Sequence, residues 1–277
     1  MTKQPNEAEI ANWNGPIGER WAAHQEMLDV RLRIFSPHLL AAAEITHGQR
    51  VLDIGCGCGD ISIEVARAVG PSGHVVGLDV SRPMLARARE RAKDHPNIEL
   101  VEHDATTYTA SAPFDALVSR FGVMFFDDPT VAFTNLRRMT KPGGRISFVC
   151  WQPLADNEWA SVPLSAVLRV LPPGEPPRPR APGPFAFGEA DYVDGVLKAA
   201  GWSAIELTPQ SQPFGLGDTL DAAVEYATSM GPSARALRAT DDDATRARAR
   251  DMLRQTLAPF GPSFALRSAV WVVTARA

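Results

Sequence analysis

Three aspartates are spaced along the first half of the chain as if each ended a strand: Asp53, Asp79 and Asp104. Asp53 sits inside the apolar run Val51–Ile54, where an unpaired carboxylate is costly. It reads either as the partner of a cationic group or as a strand-end residue satisfied by local N–H groups. Directly after it comes Gly55-Cys56-Gly57-Cys58-Gly59-Asp60. Bare backbone at the three glycines lets a ligand lie against the chain, next to a helix N-terminus with free N–H groups. Cys56 and Cys58 serve there as small residues whose backbone amides matter. Cys-x-Cys without a nearby histidine or third cysteine is a poor metal site, and none is expected.

A dinucleotide site wants G-x-G-x-x-G. Counting from Gly55, the sixth position is Asp60, and from Gly57 it is Ser62, so both frames fail. A carboxylate two residues before the first glycine suits a ligand bearing a cationic amine better than a pyrophosphate.

Further side chains could take part. Trp13, Trp21, Phe121 and Trp151 are aromatic faces able to hold a cation; the two early tryptophans could equally pack on the sheet edge. Met84 either touches a ligand or faces the core. Arg120 could bind an acidic substrate group or pair with a nearby carboxylate, with pairing the stronger reading. His24 and His103 are the candidates for a general base, needed only if the nucleophile arrives protonated. Nothing in the sequence selects between them.

The elements that must position these residues follow from hydrophobic patterning. Residues 10–46 read as a helical cover, with a turn at Asn12–Pro16. Strands are expected at Val51–Ile54, His74–Val80, Asn97–Val101, Phe114–Ser119 and Arg145–Trp151. Helices between them end at Gly70, start at a Ser81 cap, and run over Val131–Met139. Lys141–Gly144 is the turn into the fifth strand. Such alternation implies a parallel sheet covered on both faces by right-handed crossovers. Leu171–Gly188 is proline-rich and cannot join a sheet interior. Helices are expected at Trp159–Val170 and Asp191–Ala200, a sixth strand at Ala204–Leu207 and a seventh at Leu266–Thr274. The helices of residues 218–257, the last opened by Asp241-Asp242-Asp243, read as an insertion and a lid.

Composition narrows the setting. The 277 residues carry a net charge of -4, which gives no general attraction to nucleic acid or anionic lipid. No run of about 18 apolar residues is present to span a bilayer, and the polar first residues lack a signal-peptide core. Three cysteines make no disulfide framework, so a reducing cytoplasm is expected.

Asp-x-Gly-x-Gly-x-Gly resembles the loop of class I S-adenosylmethionine-dependent methyltransferases, and the likeness runs over residues 45–152. It implies a Rossmann-like doubly wound α/β fold. The sheet would be seven-stranded with its last strand antiparallel, under an N-terminal helical cover and helical lid insertions. It also implies that Asp53, Gly55, Cys56 and Gly57 cradle the methionine part of S-adenosylmethionine, and that Asp79, with Val80, takes the ribose hydroxyls. Asp104-Ala105 would read the adenine, Met84 and Ser119 would lie close by, and Trp13 and Trp21 would cover the cofactor. Phe121 and Trp151 are assigned to the acceptor pocket. The expected organisation is a cover over residues 1–47, a cofactor-binding core over 48–152, a proline-rich acceptor region over 153–200, and C-terminal strands with a helical insertion over 201–277. The expected activity is methyl transfer to a small, partly apolar molecule by direct displacement. A non-catalytic cofactor-binding protein and a nucleic-acid methyltransferase are the alternatives; Arg246, Arg250 and Arg254 share one helix face, but the acidic total argues against a phosphate track.

Overall fold

A computed structural model describes residues 6–172 and 180–277. The N-terminal helical stretch is broken into four short helices, α1 (Glu7–Trp13), α2 (Pro16–Ala23), α3 (Gln25–Leu32) and α4 (Ser36–Ala43). The expected turn falls at Asn14-Gly15, where Pro16 opens α2. Then come β1 (Arg50–Ile54), α5 (Asp60–Val69), β2 (His74–Asp79), α6 (Arg82–Ala92), β3 (Ile98–Glu102) and β4 (Phe114–Arg120). α7 (Pro129–Arg138), β5 (Thr140–Trp151), α8 (Glu158–Leu168), α9 (Ala190–Ala199) and β6 (Ser203–Gly215) follow. The chain closes with α10 (Leu220–Ser229), α11 (Gly231–Leu237), α12 (Asp243–Leu257) and β7 (Ala265–Arg276).

The strands form a seven-stranded sheet in the order β3-β2-β1-β4-β5-β7-β6. β1 pairs in parallel with β2 and β4, β2 with β3, and β4 with β5. The central residues of β1, β2 and β4 are buried on both faces, which is why these strands read as apolar runs rather than alternating ones. β7 runs antiparallel. Ala277 N–H donates to the Gly144 carbonyl at the start of β5, whereas Gln152 N–H, just past its end, donates to Ala269. Strand order reverses between β2-β1 and β4, the kind of switch point outside whose strand ends open α/β sheets bind ligands.

Three details depart from the sequence reading. Ser81 stands at the start of α6 but gives the helix no side-chain cap, because its hydroxyl donates to the Trp13 carbonyl. Lys141–Gly144 belongs to β5, with a register shift between Phe114 and Ala116 absorbing the irregularity. β6 is far longer than Ala204–Leu207. It is an edge strand with mostly exposed polar residues and two prolines, so little hydrophobic pattern marks it.

The chain divides into two compact units. The first holds the described residues up to Cys150, Arg180–Pro209 and Trp271–Ala277. Its core includes Phe114, Phe133, Phe148 and Phe187, all at 2% exposure or less. The second holds Gln210–Val270 and the described residues from Trp151 to 172. It is centred on an aromatic group in which Trp159 lies 4.7 Å from Trp151 and 4.8 Å from Phe214, ring centre to ring centre. Asp242 caps α12 through Ala244 and Thr245 N–H, as the acidic run suggested. No helix among the described residues is long and apolar enough to cross a membrane.

Candidate active site

The glycine loop is built by backbone geometry only glycine takes up readily. Gly55, Gly57 and Gly59 have φ of 66°, 55° and 83°. Gly55 and Cys56 N–H both donate to the Leu78 carbonyl, which pins the loop against the end of β2. A Cβ on Gly55 would stand 2.8 Å from the Gly122 Cα, so two stretches of backbone meet there with no room for a side chain. The neighbour of that contact is strained. Phe121, at the end of β4, has φ 62°, is buried, and lies edge-on to Phe35 at 5.3 Å.

Asp53 is 1% exposed and accepts the Ser62 hydroxyl at 2.6 Å. Burial pushes its carboxyl up to about 7, and the nearby acids Asp79 and Asp60 add to this; the Ser62 bond and the Arg120 charge oppose it. Asp79 accepts Gly57 N–H at 2.8 Å on one oxygen and Ser81 N–H at 2.8 Å on the other. It is raised by burial, while backbone N–H donors from Ser81, Gly57 and Val80 pull it back. Among the described residues no cation is recorded in an ion pair with Asp79 or Asp104. Met84 is buried, with its methyl end 2.8 Å from where a Gly57 Cβ would stand.

Asp104 accepts the side-chain amide of Asn6 on both oxygens, at 2.9 and 3.0 Å, and Thr106 N–H at 2.9 Å. Ala105 is buried, its carbonyl taking Asn135. Thr106 Oγ1 is buried and, among the described residues, has no hydrogen-bond partner. The helical cover reaches this edge. Asn14 donates to the Val80 carbonyl at 2.7 Å and accepts Arg82 N–H at 3.0 Å. Trp13 meets Trp21 edge-on at 5.7 Å and Phe125 at 5.1 Å.

Other predicted residues are placed elsewhere. Ser119 is fully buried, donates to the Ile54 carbonyl at 2.7 Å and accepts Gly122 N–H, so its hydroxyl braces β1 against the β4 turn. Arg120 takes the pairing role: it donates to Ser36 at 2.8 Å and Asp60 at 2.9 Å, within 3.8 Å of Asp29. Arg91 completes that cluster. It binds Asp29 at 2.8 Å and donates at 2.6 Å to the carbonyl of Cys58, so a buried ion network holds the glycine loop from behind. Burial opposes ionisation of Asp60, yet Arg120 and Arg33 hold it below the ordinary carboxylate range; for Asp29, burial and the Asp60 charge win and raise it. His24 is exposed at the α2–α3 junction. His103 is exposed too, against Tyr108 and its neighbour's carbonyl. Trp151 packs inside the second unit. Cys56 and Cys58 are buried thiols, Cys58 pushed up to about 12 chiefly by burial. Among the described residues no group of three or more His, Cys, Asp or Glu is placed to hold a metal.

Asn6, Asn14 and Arg91 were not visible as site residues in the sequence. The expected pairing of Arg120 with a nearby carboxylate was the hint of the ion network; nothing marked Asn6.

Comparison with known proteins agrees with this geometry. Residues 51–144 match the methyltransferase domain family. The chain is 34% identical over 113 residues to demethylmenaquinone methyltransferase of Staphylococcus carnosus, covering 40% of this chain and 47% of that protein. It thus spans about half the length of the curated relatives it matches. Among solved structures, it resembles a phosphoethanolamine N-methyltransferase of Haemonchus contortus crystallised with S-adenosylmethionine (18% identity, TM-score 0.52, 87% of this chain and 51% of that one). The cyclase SpnF is similar in fold as well (18% identity, TM-score 0.52, 88% and 80%). Residues 51–144 form a methyltransferase domain, and the chain has the fold of the class I S-adenosylmethionine-dependent methyltransferases.

The residues present fit that cofactor. Among the described residues, Asp79 and Asp104 take only neutral N–H donors, leaving acceptor capacity for hydroxyls and an amine. Asp53 is a buried acid that a nearby cation would relieve, and Thr106 Oγ1 is a buried polar atom a ligand could satisfy.

Proposed function

We propose that this protein transfers the methyl group of S-adenosylmethionine to a small, partly apolar acceptor. The observation that carries the reading is the set of three acids, Asp53, Asp79 and Asp104, at or just beyond the ends of three adjacent parallel strands around the glycine loop. When bound, the cofactor supplies an activated methyl group on a sulfonium. The chain's share is binding, alignment and desolvation. The backbone of Gly55, Cys56 and Gly57 would hold the methionine part, with the buried Asp53 beside it. Asp79 and Val80 would hold the ribose, and Asp104-Ala105 the adenine, with Met84 beside Gly57 and Ser119 bracing the strand ends behind the loop. Trp13 and Trp21 would cover the cofactor, and Phe121 would stand on the acceptor side.

An apolar acceptor is supported by the demethylmenaquinone methyltransferases among the relatives, a similarity that spans about half of those proteins. A base is not assigned, since both candidate histidines are exposed and outside the buried cradle. A small-molecule partner is favoured over nucleic acid because Arg246, Arg250 and Arg254 are each paired with an acid, Asp241, Glu225 and Asp221. Three buried free thiols support a reducing cytoplasmic setting.

Calorimetric titration with S-adenosylmethionine tests the reading. Asp79→Ala should lower affinity roughly 100-fold, as expected for losing hydrogen bonds to a charged group at about 1.5–3 kcal/mol each. No binding by the wild type, or undiminished binding by the variant, would overturn it. A second reading, cofactor binding without methyl transfer, is favoured by the cyclase on this same fold. It predicts binding but no S-adenosylhomocysteine release across a panel of oxygen, nitrogen, sulfur and carbon nucleophiles.

A further inference from the structure

Asn6 reaches across to a residue 98 positions away, and both ends of its amide are used. Its Nδ2 donates to the two oxygens of Asp104 at 2.9 and 3.0 Å, and its Oδ1 accepts Asp127 N–H at 2.7 Å. That second bond settles which way the amide faces, because an N–H cannot be met by the NH2 end. Asn6 is 4% exposed, and its backbone is left-handed, with φ 55°, a conformation asparagine tolerates better than most residues. It starts α1 without capping it, since its side chain is engaged by Asp104 and Asp127.

The far end of α1 is tied down as firmly. Ser81 donates to the Trp13 carbonyl at 2.7 Å, and Asn14 bonds Val80 and Arg82 beside Asp79. α1, about 10 Å long at 1.5 Å per residue, therefore runs as a strap between the acid that ends β2 and the acid after β3. Asp104 keeps one site open under it. A carboxylate offers about four acceptor sites; among the described residues Oδ1 takes Asn6 and Thr106 N–H, whereas Oδ2 takes Asn6 alone.

We propose that Asn6 is a positioning residue for nucleobase recognition: it fixes the Asp104 carboxylate so that Oδ2 presents its remaining lone pair to an exocyclic amine. The inference rests on the reading of Asp104 as the adenine acceptor. A 6-amino purine donates to that oxygen; a 6-oxo purine sets carbonyl against carboxylate and is refused. With Asn6 removed, the carboxylate is held by Thr106 N–H alone and can turn, so discrimination fades.

The test is calorimetric titration of wild type and Asn6→Ala with S-adenosylhomocysteine and with its 6-oxo counterpart, S-inosylhomocysteine. Wild type should prefer the amine strongly. Asn6→Ala should bind S-adenosylhomocysteine about tenfold more weakly and lose most of its preference. A residue that merely tethers α1 would weaken both ligands alike and leave their ratio unchanged; that result overturns the proposal. So does tighter binding of the adenine compound by the variant, which would make Asn6 a competitor. Should Asn6→Ala not fold, Asn6→Asp supplies the same ratio. It sets two carboxylates together, and its preference should recover at low pH as the pair comes to share a proton. An unchanged ratio at neutral pH overturns the proposal equally. If wild type binds neither compound, the reading of the cofactor itself falls, a result distinct from an unaltered preference.

Discussion

Gly55 and Gly57 have the same type, almost the same φ and nearly adjacent positions, yet alanine should affect them very differently. Both have positive φ, 66° and 55°, so each substitution carries the left-handed penalty of about 1–2 kcal/mol. What separates them is the atom each new methyl meets. At Gly57 it is the Met84 Cε, 2.8 Å away, the end of an unbranched side chain that can swing aside. At Gly55 it is the Gly122 Cα, also 2.8 Å away, and that is backbone. Gly122 cannot retreat easily, because Ser119 holds its N–H and Phe121 before it is already strained. Overpacking of this kind adds about 1–3 kcal/mol, giving roughly 2–5 kcal/mol for Gly55→Ala against about 1–2 kcal/mol for Gly57→Ala. Urea unfolding with matched slopes measures both. Equal losses, or a larger loss at Gly57, would refute the claim that the β1–β4 contact sets the loop.

Two further predictions concern charge. Asp53, with its carboxyl raised to about 7 in the fold, binds a proton there that the unfolded chain releases near 4. Stability of the cofactor-free protein should therefore fall as pH rises between those values, by roughly 4 kcal/mol at most. Asp53→Asn should flatten that slope in urea titrations, and an unchanged slope would count against the buried acid. Arg120→Met leaves Asp60 and Asp29 short of a buried partner and should cost roughly 3–5 kcal/mol at neutral pH. Asp60 is held low in the fold, so its share of stability is present above the unfolded value and lost on acidification. The gap between wild type and variant should consequently shrink toward pH 3; an equal gap at both ends would contradict it.

Much of the site was legible in the sequence because it depends on local chemistry. A glycine alternation after an apolar run fixes a turn, and an acid at a strand's end needs no tertiary knowledge to be noticed. The placement of Asp53, Asp79 and Asp104 at or just past strand ends was legible this way, as were β1 to β4 to within a residue or two. Arg120 was read as an ion-pair residue, and it is one. The sequence did not disclose that Ser81 and Ser119 give their hydroxyls to backbone carbonyls 68 and 65 residues away. Nor could it disclose the full length of β6 beyond Ala204–Leu207, because an edge position leaves little hydrophobic alternation to detect.

By itself, then, the sequence determined the order of strands and helices, the bare-backbone loop and the acids beside it, since each is written in residues adjacent along the chain. Only the tertiary structure decided how those acids are held. Asp79 is held by loop amides, Asp104 by an asparagine at the far start of the chain, and the loop's rear by Arg91 through Cys58. Hydrogen bonds between groups distant in sequence leave no periodic trace, because either partner alone is an ordinary polar residue.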